Sequence, residues 1–363
     1  MLRTARFLHR FLRPDPGRVR VKEARVTVGD RTVPATLYLP RRGRSLPGWV
    51  VLHGITVTGR HHPALTRFAQ ALAAAGAAAL VPDIPEWRSL RITLDAAVAT
   101  IKGGASFLEE RPEVKAGGIG VAGFSFAATQ ALIAAAQPEL RPDVATVAGF
   151  GGYADLHRTV QCMLTGEHEW QGVRYRLDPD PYGRWILGGN YLPLIRGYEG
   201  MTAVAAGLHG LAVEAGRRGV FAAEPEYDGL KADIRAGLAP EERRLWDVLA
   251  PPANRPPADL ELARSLAGEL ADAALRAEPR GDLLRALPQL QCRVALAHGR
   301  GDRLIPFTET LRLLSLLPPQ LAVYGTVIHS YAHSMEAERL RPLEYAREAY
   351  RFVRLLSYAL DSV

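Results

Sequence analysis

The chain predicts an α/β fold: a mostly parallel β-sheet with helices on both faces, interrupted by a long helical stretch. Three observations carry this. Short apolar strand patterns alternate with helical ones across residues 49–148, the rhythm of right-handed crossovers in a sheet covered on two sides. That rhythm stops at Leu156, and helical pieces punctuated by Pro251-Pro252 and Pro256-Pro257 run to Pro288. A strand pattern then returns at Cys292–Ala297. With 363 residues, 48% hydrophobic and 23% charged, the chain can bury a sizeable core, which excludes a disordered chain, a collagen-like fibre and a small disulfide scaffold.

The elements follow in order. Residues 1–14, MLRTARFLHRFLRP, hold no acid and set Arg3, Arg6, Arg10 and Arg13 against an apolar stripe of Leu2, Phe7, Leu8, Phe11 and Leu12 at helical spacing. A terminal helix packed on the body is expected. A membrane-surface helix and an organellar transit peptide are the functional alternatives. Ala24–Val28 and Val33–Leu39 flank Gly29-Asp30, a hairpin signal. A strand at Trp49–Leu52, a helix at Ala64–Ala75 and a strand at Ala77–Val81 come next. A helix at Leu94–Glu110, a strand at Gly118–Ala122, a helix from Phe126 to Ala136 and a strand at Val144–Ala148 continue the alternation. Met201–Gly216, Glu241–Leu249 and Asp259–Ala277 read as helices, with no buried strand among them. A strand near Leu321–Tyr324, ending about Gly325, and a helix at Glu344–Leu360 close the chain. The expected units are residues 1–20, 21–155, 156–288 and 289–363.

Charge and cysteines narrow the function classes. Of 45 Lys+Arg only four are lysines, against 38 Asp+Glu. The arginines are spread and often sit beside acids, as in Glu241-Glu-Arg-Arg244, so no nucleic-acid surface is expected. Cys162 and Cys292 are too few for a disulfide framework and read as buried thiols of a cytoplasmic protein. No metal is expected: His61-His62 are adjacent, Glu167-His168-Glu169 reads as solvated loop, and H-E-x-x-H is absent. No phosphate loop or dinucleotide fingerprint occurs, so no cofactor is expected.

The sharpest feature is Gly117-Gly-Ile-Gly-Val-Ala-Gly-Phe-Ser-Phe-Ala-Ala128. An apolar strand runs into Gly123-Phe-Ser125-Phe-Ala127 and a helix starts at once. A serine there projects its hydroxyl above the sheet, and small residues two before and two after let strand and helix approach. Ala127 stands where glycine is usual. A serine nucleophile needs a base, an orienting acid and donors for a tetrahedral oxyanion. Trp49-Val-Val-Leu-His53-Gly54-Ile55 ends a strand in His-Gly, so the amides of Ile55 and Phe126 are the expected donors and His53 a structural group. Cys292–Pro306 carries a strand followed by H-G-x-x-D-x-x-I-P, making Asp302 the expected acid and Asp155 its competitor. His333, after the last strand, is the expected base, with His329 the alternative.

On these residues the sequence resembles the α/β-hydrolase superfamily, over roughly residues 20–155 and 289–363. The resemblance implies an eight-stranded, mostly parallel sheet with a large helical cap inserted between the sixth and seventh strands. It implies a serine hydrolase acting on a small-molecule carboxylic ester through a Ser125–His333–Asp302 triad and an acyl-enzyme. Tyr153, Trp170, Tyr175, Trp185, Tyr191 and Phe221 suggest an aromatic-lined cap suited to hydrophobic acyl or aromatic esters. Thioesterase, acyltransferase, amidase or peptidase chemistry, or a catalytically silent binding protein, are the alternatives.

Overall fold

The computed structural model describes residues 2–13, 17, 19–93, 95–219, 221–329 and 342–363. Helix α1 (Leu2–Leu12) precedes a hairpin of β1 (Val19–Val28) and β2 (Arg31–Pro40). Gly29, at φ +63°, makes its turn and leaves Val28 opposite Arg31. Then come β3 (Gly48–Leu52), α2 (Pro63–Ala74), β4 (Ala78–Pro82), α3 (Pro85–Arg88), α4 (Asp95–Glu109), β5 (Ile119–Phe124), α5 (Phe126–Ala135) and β6 (Val144–Phe150). The helical stretch contains α6 (Leu156–Thr165), a hairpin of β7 (Glu167–Trp170) and β8 (Val173–Arg176), and α7 (Tyr182–Tyr191). It continues through α8 (Thr202–Arg218), α9 (Asp228–Ala236), α10 (Pro240–Leu249), α11 (Leu260–Ala277) and α12 (Leu283–Ala286). The last elements are β9 (Arg293–Gly299), α13 (Phe307–Leu316), β10 (Val323–Ile328) and α14 (Pro342–Leu360).

Eight strands form one sheet in the order β1-β2-β4-β3-β5-β6-β9-β10. The β1–β2 and β2–β4 pairs are antiparallel, and every other neighbouring pair is parallel. Strands β3 and β4 are buried at every position, as expected where helices cover both faces. Alternation sorts their side chains. Val50, Leu52 and Leu80 face a core shared with Ile101 and Leu132. Trp49, Val51 and Val81 face the opposite core with Phe68, Leu72 and Leu356. The helical stretch has a third core, built on Trp185, Tyr227, Trp246, Leu249 and Leu270, with Ile55, Phe126 and Ile305 of the sheet portion joining it.

Three local outcomes differ from the sequence reading. The β7–β8 hairpin falls in a stretch read as helices and loops; it is largely solvent-facing, so it leaves no buried apolar run to detect. Glu167-His168-Glu169 is therefore strand rather than loop, with His168 Nδ1 3.0 Å from Thr308 Oγ1. Strand β10 does not stop near Gly325 but runs to Ile328, because its pairing with β9 continues to Ile328 opposite Gly299.

Helix α1 packs on the body. Phe7 is buried and meets Phe68 edge-on at 5.3 Å, Thr4 Oγ1 lies 2.6 Å from Ser357 Oγ, and Arg3 donates to Leu360 O. Arg10 is also buried, its guanidinium nitrogens lacking a hydrogen-bond partner among the described residues. Such a group is costly to bury, so Phe7 and its aromatic neighbours hold the helix down against that cost. Phe7→Ala is expected to release α1 locally, at about 3 kcal/mol. Amide exchange should accelerate over residues 2–12 while the sheet keeps its protection. Among the described residues no helix is long and apolar enough to cross a membrane.

Candidate active site

Parallel pairing sends the carboxyl ends of β3, β5, β9 and β10 to one edge of the sheet. The residues that follow those strands (His53–Ile55, Ser125, Asp302 and His329) leave from that edge.

Ser125 occupies the turn between β5 and α5 at φ 56°, ψ −129°, a backbone region that costs a non-glycine residue about 1–3 kcal/mol. Two hydrogen bonds hold it there. Its N–H donates to Phe150 O on β6 at 2.7 Å, and its carbonyl accepts from Ala128 N at 2.9 Å. A Cβ on Gly123 would lie 2.3 Å from Ala127 O, so only glycine lets β5 pass this close beneath α5. Ala127 is fully buried; its single methyl fits.

The loop after β3 lies against this turn: a Cβ on Gly54 would sit 3.7 Å from Ser125 Cβ and 3.4 Å from Phe124 O. His53 anchors the loop. Its Nε2 accepts from Ile84 N at 3.0 Å, so the proton is on Nδ1, which donates to Gly54 O at 2.7 Å. In a trans peptide the N–H points opposite to the C=O, so holding Gly54 O inward directs Ile55 N–H outward. Farther along, Asp83 accepts from Arg60 N, Arg60 Nε and Arg88 Nη1, each at 3.1 Å. The amide of Phe126 opens α5 and has no acceptor within its own helix. Ile55, Ser125 and Phe126 line one cavity of about 710 Å³.

Burial pushes the His53 imidazole from 6.5 down to about 4. Between those values an unfolded chain takes up a proton that the folded site refuses, so stability falls as pH drops through that window. The loss attributable to His53 is expected to reach about 3 kcal/mol at pH 4. Denaturant unfolding at pH 7 and pH 4.5 checks it: His53→Gln should show a shallower pH dependence than wild type.

Asp302 follows β9 and is 2% exposed. Its Oδ1 accepts from Leu304 N at 2.9 Å and Ile305 N at 3.1 Å, and Oδ2 lies 3.6 Å from His298 Nε2. Asp155, the competing acid, caps α6 instead, accepting from Arg158 N at 3.1 Å. His333 lies outside the described residues. His329 directly follows β10 and pairs through Nδ1 with Glu348 of α14, while its N–H donates to Glu348 Oε2 at 2.8 Å. Glu348 is nineteen positions downstream of His329, a separation that carries no local pattern. Glu309, also unforeseen, is buried beneath Ala154 N and Asp155 N at 3.1 and 2.8 Å, and burial raises its carboxyl above the usual range.

The cavity walls are mostly apolar, with Leu156, Met163, Leu187 and Leu275 among them. Tyr153, Tyr191 and Phe221 line it as expected. Trp185, Trp170 and Tyr175 do not. Trp185 is fully buried in the core of the helical stretch, the Arg312 guanidinium lies over Trp170, and Tyr175 stacks on His168. Among the described residues no group of His, Cys, Asp or Glu side chains could hold a metal ion, and both cysteines are buried with thiols raised by desolvation.

No family model and no curated protein matches the chain. Among solved structures it is similar to an acylaminoacyl peptidase from Pyrococcus horikoshii, at 13% identity and TM-score 0.49, covering 94% of this chain and 42% of that one. It therefore spans less than half of that peptidase's length. A dienelactone hydrolase from Anabaena variabilis matches at 15% identity and TM-score 0.46, covering 94% and 98% of the two chains. A Pyrococcus furiosus esterase matches at 15% identity and TM-score 0.48, covering 94% and 90%. A strained serine above the middle of an eight-stranded, mostly parallel sheet, with the loop after its third strand folded against it, is the arrangement of the α/β-hydrolase fold, and this chain is built on it.

Proposed function

We propose that the chain is a serine hydrolase of carboxylic esters with hydrophobic acyl or aromatic groups. The observation that carries this reading is Ser125, held in a strained turn beside the Ile55 and Phe126 amides and facing a mostly apolar cavity. Ser125 Oγ attacks the ester carbonyl carbon and passes its proton to His333. Asp302 orients the imidazole and stabilises its charged form. The carbonyl oxygen becomes an oxyanion held by the two amides, and the alcohol leaves with the proton from His333. Water, deprotonated by the same imidazole, then releases the acid and restores Ser125. Residues 156–288 act as the cap that shapes the acyl site. His329 is the competing base, with Glu348 as its orienting carboxylate.

A fluorophosphonate probe should label Ser125 in the wild type and not in Ser125→Ala. A panel of p-nitrophenyl esters of graded acyl length, with one thioester and one amide, reads the preference: turnover of the amide alone would sink the ester assignment. His333→Ala should lose activity by orders of magnitude, whereas the same loss in His329→Ala alone would transfer the base to His329.

A further inference from the structure

We propose that residues 178–182, which lead into the first residue of α7, form a strap that ties the Asp302 loop to the loop after β3, with Tyr182 as the residue that positions the Ile55 amide. The inference rests on Ser125 being the nucleophile. At one end, Asp180 N donates to Arg303 O at 2.9 Å, and the Arg303 guanidinium donates to Asp178 O at 2.6 Å and Asp178 Oδ2 at 2.5 Å. Arg303 directly follows Asp302, whose carboxylate is held by the next two amides, Leu304 and Ile305. At the other end, Asp180 Oδ1 accepts from Tyr182 N at 2.9 Å, and the Tyr182 hydroxyl donates to Ile55 O at 3.3 Å. Five carboxylate and carbonyl acceptors thus link two loops that are about 250 positions apart in sequence but meet at one sheet edge.

The consequence lies in the peptide geometry. His53 pins Gly54 O and Tyr182 pins Ile55 O, so the planes on both sides of the Ile55 Cα are fixed, and with them the direction of Ile55 N–H. His53 does this from the sheet, Tyr182 from the helical stretch. Close packing keeps Tyr182 there: a Cβ on Gly216 of α8 would lie 3.6 Å from its Oη and 2.8 Å from Val57 Cγ2. Burial raises the Tyr182 phenol, so it stays a donor at neutral pH. An amide held in advance costs no reorganisation when the oxyanion forms; one that swings does.

Tyr182→Phe removes only the hydroxyl. Using the full chain and p-nitrophenyl butyrate, kcat is expected to fall about tenfold, less than the loss of an oxyanion donor itself, with KM within about twofold and the pH–rate profile unchanged in shape. A trifluoromethyl ketone, which binds serine as a tetrahedral oxyanion, should weaken by the same factor as kcat. Arg303→Ala loosens the other end of the strap and should slow kcat in the same direction, with the double variant losing less than the product of the two. Thermal melts confirm that each variant is folded, and Arg303→Ala carries the test should Tyr182→Phe melt early. An unchanged kcat, a loss confined to KM, or ketone affinity that stays at the wild-type value would each overturn the strap. A wild type that hydrolyses no ester and takes no fluorophosphonate at Ser125 would instead overturn the hydrolase reading, and the strap's catalytic role with it.

Discussion

Ser125→Ala is expected to lower kcat for a p-nitrophenyl ester by about 10⁴-fold or more while leaving KM nearly unchanged. The substrate would still be held by the cavity and polarised by the Ile55 and Phe126 amides, so a residual rate above that in water should persist. What disappears is the covalent route. Wild type should therefore release a burst of p-nitrophenol, one equivalent per site, and the variant none. Combining Ser125→Ala with His333→Ala should cost little more than either alone, since nucleophile and base act as one unit. Wild-type turnover in Ser125→Ala would refute the mechanism whatever the fold.

The second large effect is on stability. Gly123→Val is expected to cost about 4 kcal/mol or more in denaturant unfolding. A Cβ there would meet Ala127 O at 2.3 Å, Ala127 C at 2.6 Å and Ala128 N at 2.8 Å. These are backbone atoms of the first turn of α5, and that helix is buried from Ala127 through Ala135. No side chain can rotate out of the way; the helix would have to lift off β5, taking Ser125 with it. Gly29→Ala is the contrast: at φ +63° with nothing within 4 Å of the added methyl, it should lose only about 1 kcal/mol of backbone preference. A small effect at Gly123 would mean that strand and helix can separate more easily than their packing implies.

The elements legible in the sequence are those whose signal is local. Gly29-Asp30 between two alternating runs specified the first hairpin, and Gly123–Ala127 between an apolar strand and an alanine-rich helix specified the serine turn. Fully buried strands such as Gly48–Leu52 announce themselves as continuous apolar runs. The β7–β8 hairpin went unseen because its faces are mostly wet, so neither alternation nor an apolar run marks it. Likewise Trp185 reads as an aromatic available to a pocket. Only packing shows that it is spent in the core of the helical stretch, while Tyr153 and Tyr191 reach the cavity.

By itself the sequence determined the sheet-forming segments, the serine at its strained turn, the His-Gly loop and the aspartate after the late strand, because each is written in neighbouring residues through backbone preference and periodicity. Tertiary structure alone decided the strand order that brings Ile55 beside Ser125, the pairing of His329 with Glu348, the capping role of Asp155 and the reach of Tyr182 to Ile55. Those contacts join residues whose separation along the chain sets no distance between them. Parallel pairing sets it, by sending the ends of β3, β5, β9 and β10 to one edge.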